Sequence, residues 1–508
     1  MLTRGFAGGV LVLLGGLVIS TLPRSTALLR GPLLQDLRAA EAGRMAALAL
    51  VVLGLGLYAA AWLALCRHVA RAEGAARDDG IALVRLAAVL WSAPLVLAPP
   101  LFSRDGWSYA AQGVLAHLGV SPYEHGPGVL AGPIVQGVDP RWMETPAPYG
   151  PLPLALGDAA ADLTDNPWLL VIAHRGAALV GLVLLGWAVP RLATWCGTNP
   201  ALASALVLCS PLMLANGVGG LHNDLLMVGL MAAAVVLAAE HGWVAGAVVG
   251  GLAAAVKLPG GLVCIGVVLV ALPLGAPVAL RARRLVQVGA VAVAALVVPG
   301  VAWGLGVGWV SALGVPGTVN TPLSLPTVVG GFLDLLARRL GADLAPATFL
   351  DLVRGLAQVG IVAVAGGVAL RGATGRPDAA VRAVALVAGA TVLLSPVVHL
   401  WYFLWVKPFL AVQRLPRVAA TGLLAGSVVT GLVAPLDSSL HGAYLAIVVG
   451  SMAVTVAVLV LLTTTAARDR LEKIATAPWL PEPAQRAGTT RPVTSPSAIR
   501  PPDVPGAV

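Results

Sequence analysis

Charge is scarce in this chain. Only 11% of its 508 residues are Asp, Glu, Lys or Arg, less than half of the roughly 25% usual in soluble domains. The length would hold several soluble domains, but so little charge excludes that reading. Cysteine is scarce too: Cys66, Cys196, Cys209 and Cys264 are the four. They sit in or beside apolar runs without ligand spacing, which leaves neither a disulfide framework nor a cysteine metal site. No Walker A sequence is present, so no P-loop handles nucleoside triphosphates. The short alternating segments of a membrane β-barrel are missing as well. We find no soluble catalytic domain and no internal repeat.

What the chain does contain is apolar residues, 58% of the total, in runs of roughly 17–25 residues where full length. These runs predict an all-α, polytopic transmembrane bundle. The expected spans are Phe6–Leu22, Met45–Cys66, Ala82–Leu101, Trp168–Val189, Pro200–Val218, Leu225–Ala239, Val244–Val256 and Leu258–Leu274. Val286–Val310, Thr348–Leu370, Ala383–Val398, Tyr402–Val412, Val418–Pro435 and Tyr444–Thr464 complete the set. That makes about 12–14 crossings. Phe6–Leu22 follows Arg4 like a signal peptide, but no Ala-x-Ala site follows, and we read it as a retained span. Lys257-Leu258-Pro259 marks an expected break between two half-spans.

The net charge of +9 comes from basic residues in short loops, the pattern that marks a cytoplasmic side. It forms no basic stripe interleaved with aromatics, so nucleic acid is set aside. Placing Arg281/Arg283/Arg284, Arg371/Arg376/Arg382, Arg414/Arg417 and Arg468/Arg470/Lys473 inside also places Arg4 and the Arg67/Arg71/Arg77 loop inside. The loop 23–44, with Arg24, Arg30 and Arg38, then lies outside and fits poorly. The polar loops 103–167, 218–224, 311–347, 399–401 and 436–441 share the outer face, and His117, His125, His222, His399 and His441 with them. We expect one membrane domain over 1–465 with its outer loop at about 102–167, and a disordered cytoplasmic tail over 466–508.

Several residues there have chemistry to offer. Asp105 ends a span and starts a segment in which Trp107, Ala111, Val114, Leu115 and Leu118 recur at helical spacing, with Ser108 and Gln112 opposite. That pattern predicts an interfacial amphipathic helix. Its first carboxylate is placed to take a proton from a sugar hydroxyl, or simply to cap the helix. Trp142 and Tyr149, the latter among Pro146, Pro148 and Pro151, could stack on a sugar face or anchor at the interface. His222-Asn223-Asp224 opens a span and could bind hydroxyls or a metal, with Asp224 as N-cap the alternative. Lys257 is a costly cation at membrane depth, suited to a phosphate or to snorkelling. His399 stands with Trp401 and Tyr402 at another outer span end. Arg175 is expected to pair with a carboxylate, and His174 to be a satisfied core residue.

Taken together, the ordered segments Phe102-Ser103-Arg104-Asp105, Tyr109-Ala110-Ala111-Gln112-Gly113, Ser121-Pro122-Tyr123, Trp142 with 145–151, 219–224, 257–259, and Ser395-Pro396 with 399–402 resemble a known family. It is that of the actinobacterial polyprenol-phosphate-mannose-dependent α-1,6-mannosyltransferases, integral membrane glycosyltransferases of the GT-C fold class. The resemblance runs from about residue 85 to 420. It implies a polyprenyl-phosphate-mannose donor, a lipid-anchored α-1,6-mannan acceptor of the lipomannan and lipoarabinomannan type, and inverting transfer on the outer face of the plasma membrane. It implies Asp105 as the catalytic base. It also implies Arg104, Trp142, Tyr149, His222, Asn223, Asp224, Lys257, His399 and Tyr402 as substrate-binding residues, with Lys257 and His399 toward the phosphate. The acid here follows the third span, and its neighbour is Arg104 rather than a second acid. No metal ligands are assigned and no cofactor is required, with a divalent cation left open. Two alternatives stand beside this reading. A GT-C transferase for another lipid-linked sugar would share these motifs. A lipid or sugar transporter would place more charge midway along spans and show repeat symmetry.

Overall fold

The computed structural model describes residues 1–70, 76–436, 453, 456, 457, 460 and 463–475. Among these residues the regular structure is helical and no strand occurs. The chain runs α1 (Leu2–Ile19), α2 (Pro32–Ala39), α3 (Glu41–Ala70), α4 (Ala76–Val96), α5 (Asp105–His117), α6 (Pro151–Leu163), α7 (Pro167–Trp195), α8 (Pro200–Leu208) and α9 (Asp224–Glu240). It continues with α10 (Trp243–Val256), α11 (Cys264–Ala271), α12 (Val278–Ala302), α13 (Leu325–Arg339), α14 (Thr348–Arg371), α15 (Pro377–Leu394), α16 (Lys407–Ala411), α17 (Arg417–Leu432) and α18 (Thr465–Ala475).

Seven of the described helices are long and apolar enough to cross a membrane: α1, α3, most of α4, α7, α12, α14 and α15. The chain is therefore a polytopic helical membrane protein. The remaining expected spans are made of shorter pieces. Pro200–Val218 is α8 followed, after a 57° bend, by a π-helix over Met213–Gly219. Pro211 lies at the break and supplies no backbone donor there. Val244–Leu274 breaks where expected, at Lys257, into α10, a 3-10 turn over Leu258–Val263 and α11. The span Tyr444–Thr464 and the loop 436–441 fall largely outside the described residues, as does the tail beyond 475. The start of that tail is not disordered: Thr465–Ala475 is a helix with Leu471 buried, and Glu472 is ion-paired with Arg417 at the start of α17.

Two elements position the site. Helix α7 packs on α9 so closely that a Cβ on Gly181 or Gly229 would meet the other helix's backbone. Small residues allow such contact where lipid offers no hydrophobic drive to association. Helix α5 likewise meets α6 at Gly113 and Gly157, backbone against backbone. Helix α5 forms where the pattern predicts it, but neither of its faces is open to water. Trp107, Ala111 and Leu115 are buried, but so are Ser108 and Gln112, and only its end at Leu118 is exposed. The polar face of α5, with Ser108 and Gln112, turns inward to a cavity, while α6, hidden in the proline-rich stretch after Tyr149, covers the face at Gly113.

Among the described residues Arg175 has no carboxylate partner. It is fully buried in α7, and donates to Val218 O at 2.5 Å and Ala98 O at 2.7 Å. Those carbonyls lie at the end of the π-helix and just past α4, where the helical ladder leaves acceptors open. Arg175 thus ties together the two segments that lead into Asp105 and His222. His174 beside it is not satisfied either: both ring nitrogens are buried without a hydrogen-bond partner.

Candidate active site

Ser103 to Tyr149, Lys257, Val315 to Leu323 and Val397 to Tyr402 contribute walls to one cavity of about 530 Å³, within the size range of small-molecule sites. Of the residues singled out in the sequence, Arg104, Asp105, Trp142, Tyr149, Lys257, His399 and Tyr402 line it. His222, Asn223 and Asp224 do not; they stand behind its wall, and Asp224 is completely buried.

Asp105 is the first residue of α5, and its side chain does not cap the helix. Arg104 occupies the N-cap position, and Ser103 Oγ accepts the Asp105 backbone N–H at 3.1 Å. The carboxylate is left for the cavity, with 15% of the side chain accessible. Tyr109, one turn on, donates its hydroxyl to Asp105 Oδ2 at 3.4 Å, and His222 Nδ1 lies 3.5 Å from the same oxygen. Both chain segments arrive through left-handed non-glycine residues, Phe102 at φ 63° and Leu221 at φ 56°. Such backbone costs about 1–3 kcal/mol each and persists where surrounding structure enforces it. Here the Leu101 N–H bonds Gly219 O at 3.0 Å, coupling the two approaches.

Burial by itself would push the Asp105 carboxyl up. The neighbouring His222, with Nδ1 3.5 Å away, and the Lys257 charge outweigh burial and hold it below its ordinary value. The group is ionised at neutral pH. His399, desolvated, is pushed down to about 4 and is a neutral imidazole there. Burial and the nearby carboxylates raise Tyr109 and Tyr149 well above the usual phenol range, so both remain hydroxyl donors.

The aromatic residues form a continuous wall. The Trp401 ring is stacked with two imidazoles, His222 at 3.7 Å and His399 at 4.4 Å between centroids. Tyr402 stacks on Trp405 at 4.3 Å, and Tyr149 meets Tyr109 edge-on at 5.1 Å. Lys257 Nζ sits 4.3 Å from the Tyr402 centroid and 5.9 Å from that of Tyr149. The amine does not snorkel away: it pairs with Asp224 Oδ1 at 3.0 Å. The same oxygen accepts Trp405 Nε1 at 2.6 Å. Asp224 is thus spent on Lys257 and Trp405 instead of capping α9 or facing a substrate, and Asn223 holds the N-cap position.

The donor set does not form a divalent-cation cage. Asp105 faces the cavity, Asp224 is neutralised by Lys257, and Asp139 is closed against Arg141 at 2.9 Å. Among the described residues no group of three or more His, Cys, Asp or Glu side chains is disposed to hold a metal.

The sequence comparisons give this constellation its chemistry. Residues 2–273 match the family model described as "Alpha-(1->6)-mannopyranosyltransferase, N-terminal domain". The chain belongs to this family. Residues 326–463 match a second model, "MptB C-terminal domain". Alpha-(1->6)-mannopyranosyltransferase A of Mycobacterium tuberculosis is 32% identical over 453 residues, covering 87% of this chain and 85% of that protein. Another alpha-(1->6)-mannopyranosyltransferase of the same organism is 30% identical over 478 residues, covering 82% and 79%. Alpha-(1->6)-mannopyranosyltransferase B of Corynebacterium glutamicum is 29% identical over 390 residues, covering 70% and 64%. The chain is therefore a glycosyltransferase of the mannosyl-transferring kind. Its cavity draws walls from both matched regions and from the segment between them.

Sequence reasoning missed Thr321 and Arg354. Thr321 Oγ1 accepts the Val398 N–H at 2.9 Å, holding two cavity walls together. Arg354, in α14, donates to Gly317 O at 2.8 Å, Val319 O at 2.9 Å and Asn320 Oδ1 at 2.7 Å. The available signal is an arginine near the start of an apolar run, three residues after Asp351.

Proposed function

We propose that this protein transfers mannose, with inversion, from polyprenyl-phosphate-mannose to the 6-hydroxyl of an α-1,6-mannan lipoglycan acceptor, as in lipomannan and lipoarabinomannan backbone elongation. The reaction takes place on the extracytoplasmic face of the plasma membrane. The observation that carries this reading is the ionised Asp105 carboxylate facing a cavity that Lys257 and a neutral His399 also line.

The chemistry is a single displacement. The acceptor 6-oxygen attacks the anomeric carbon and forms the new C–O bond. The bond between that carbon and the phosphate oxygen breaks, and both its electrons leave with polyprenyl phosphate. The hydroxyl proton passes to Asp105. Lys257 serves as the countercharge to the departing phosphate, and His399 offers an N–H. Arg104, Trp142, Tyr149 and Tyr402 shape the sugar-binding walls, while His222, Asn223 and Asp224 set those walls from behind. Asp105 alone supplies the base, so one displacement with no covalent enzyme intermediate is the economical route.

The experiment is mannosyl transfer by membranes containing the protein, with polyprenyl-phosphate-mannose and an α-1,6-mannoside acceptor. Transfer by the wild type, lost in Asp105→Asn at equal expression, is the expected result. Activity only with a different lipid-linked sugar overturns the mannose assignment, and near-normal turnover by Asp105→Asn removes it as the base.

A further inference from the structure

The cavity holds a second polar feature that neither the acid nor the cation uses. Ser108 and Gln112 follow Asp105 on the cavity side of α5, and both line the cavity. Each is only 4% exposed, and among the described residues Ser108 Oγ and Gln112 Oε1 have no hydrogen-bond partner. Buried polar atoms are nearly always paired in folded proteins, so unpaired ones facing a cavity await a ligand or water. The same helix face one turn earlier carries the carboxylate itself.

The chemistry of these two groups selects among ligands. A hydroxyl and a carboxamide each donate and accept. A phosphate only accepts, and would leave the Gln112 carbonyl oxygen opposed to another anion. A neutral polyol satisfies both. The charges beside the stripe are largely engaged already. Asp139 takes Arg141 through both carboxylate oxygens, at 3.0 Å and 2.9 Å. Arg104 Nη1 donates to Val138 O at 3.0 Å, and the Asp139 charge lies near it.

Placement then separates donor from acceptor. In a single displacement the entering oxygen and the leaving phosphate lie on opposite sides of the anomeric carbon. The cation assigned to the leaving side is Lys257, paired with Asp224 and packed against Tyr402. Asp105 defines the entering side, and the stripe runs on from Asp105 along α5. From Asp105 to Gln112 is seven residues, about 10 Å along the axis, longer than one pyranose ring.

We propose that Ser108 and Gln112 form the subsite for the acceptor's penultimate sugar, so that the enzyme grips two sugar units of the acceptor, the outermost at Asp105 and the next along α5. This rests on the transfer reading above and deepens it: the acceptor class is an oligomannoside of at least two units. The subsite also gives a physical reason for acting on a chain rather than on a single lipid-linked sugar.

The test pairs binding with turnover, using the full chain in nanodiscs. Saturation-transfer NMR compares an alkyl α-mannoside with the alkyl α-1,6-dimannoside on wild type, Ser108→Ala and Gln112→Met. Wild type should bind the dimannoside about tenfold more tightly, the worth of one or two neutral hydrogen bonds. Each variant should shrink that ratio toward one while keeping the wild-type melting temperature. In turnover, the acceptor KM should rise and the donor KM should stay. An unchanged dimannoside-to-monoside ratio in both folded variants, or equal affinity of wild type for the two glycosides, overturns the subsite. A shift in donor KM alone does so too. The binding arm needs no transfer, so it decides the subsite even if the donor assignment fails.

Discussion

Lys257 Nζ lies 3.0 Å from Asp224 Oδ1, with the carboxylate fully buried and the lysine side chain 13% accessible from the cavity side. The pair brings a cation to the cavity wall at a depth where an unpaired ammonium would be expensive. Removing one member leaves the other uncompensated, a loss on the order of 3–5 kcal/mol. Lys257→Met should therefore lower the melting temperature sharply, and the double variant Lys257→Met/Asp224→Asn should recover much of it. If Lys257 serves the phosphate, the recovered double variant still shows a donor KM raised about tenfold or more. Recovery of both stability and donor KM would make the lysine purely structural.

His222 holds Asp105 low, which fixes the direction of a pH effect. A base works deprotonated, so a depressed pKa keeps kcat/KM intact as pH falls until the carboxyl titrates. The acidic limb of wild-type kcat/KM should thus lie below about pH 4, the ordinary aspartate range. His222→Phe keeps a ring against Trp401 and removes the lowering partner, leaving burial to act. The limb should then move toward neutral pH, with activity lost as pH falls through the raised value. A limb that does not move would show that His222 does not set the Asp105 ionisation.

The same pair shows what the sequence could convey. Asp105, His222, Lys257 and His399 each stand out as a polar residue at the edge of an apolar run, and that contrast made them visible. Which of them face the cavity was not visible. Asp224 and His222 share one motif with Asn223, yet all three stand behind the wall. Asp224 is consumed by a lysine 33 positions away. Helical periodicity predicts α5, but not that its polar face lines a cavity, and α6, which packs beside it, begins in a proline-rich stretch that reads as loop. Pro151 in fact sits in the first turn of that helix, where its fixed φ suits the start and its missing donor costs nothing. Half-spans were legible at Lys257-Leu258-Pro259. The bend between α8 and the π-helix is marked by Ser210-Pro211, a signal that does not by itself tell a bent span from a straight one. Arg175 was visible as an oddity, but its partners are backbone carbonyls, which no residue pattern announces.

That substitution of carbonyls for a carboxylate gives a prediction of its own. Arg175→Met keeps volume and removes the donors to Val218 and Ala98. Leaving buried acceptors open costs about 1–3 kcal/mol each. The variant should fold with a lower melting temperature, and kcat should fall as the Asp105 and His222 approaches loosen. Arg175→Lys restores charge without the planar fork and should recover little. Full recovery by lysine would mean that charge, not geometry, is what the site needs from this residue.

Arg354 acts through other residues, and its test separates positioning from folding. Its guanidinium gathers Gly317, Val319 and Asn320 from one cavity wall, and Nε donates to Thr327 Oγ1 at 3.0 Å. Thr327 Oγ1 in turn donates to Pro396 O at 2.6 Å, and Ser324 Oγ to Ser395 O at 2.8 Å, just ahead of His399. The wall that carries His399 is therefore held by α14 through one side chain. Arg354→Met should leave α14 packed, because its exposed apolar neighbours, such as Leu352 and Leu356, do not depend on the guanidinium. Segment 315–323 should lose amide-exchange protection. The donor KM should rise more than kcat falls, since His399 and the cavity wall are displaced while Asp105 keeps its own partners on α5 and at His222. Arg354→Lys makes fewer of these bonds and should lie between the two. A fall in kcat with exchange protection and KM unchanged would place the effect elsewhere than in this wall.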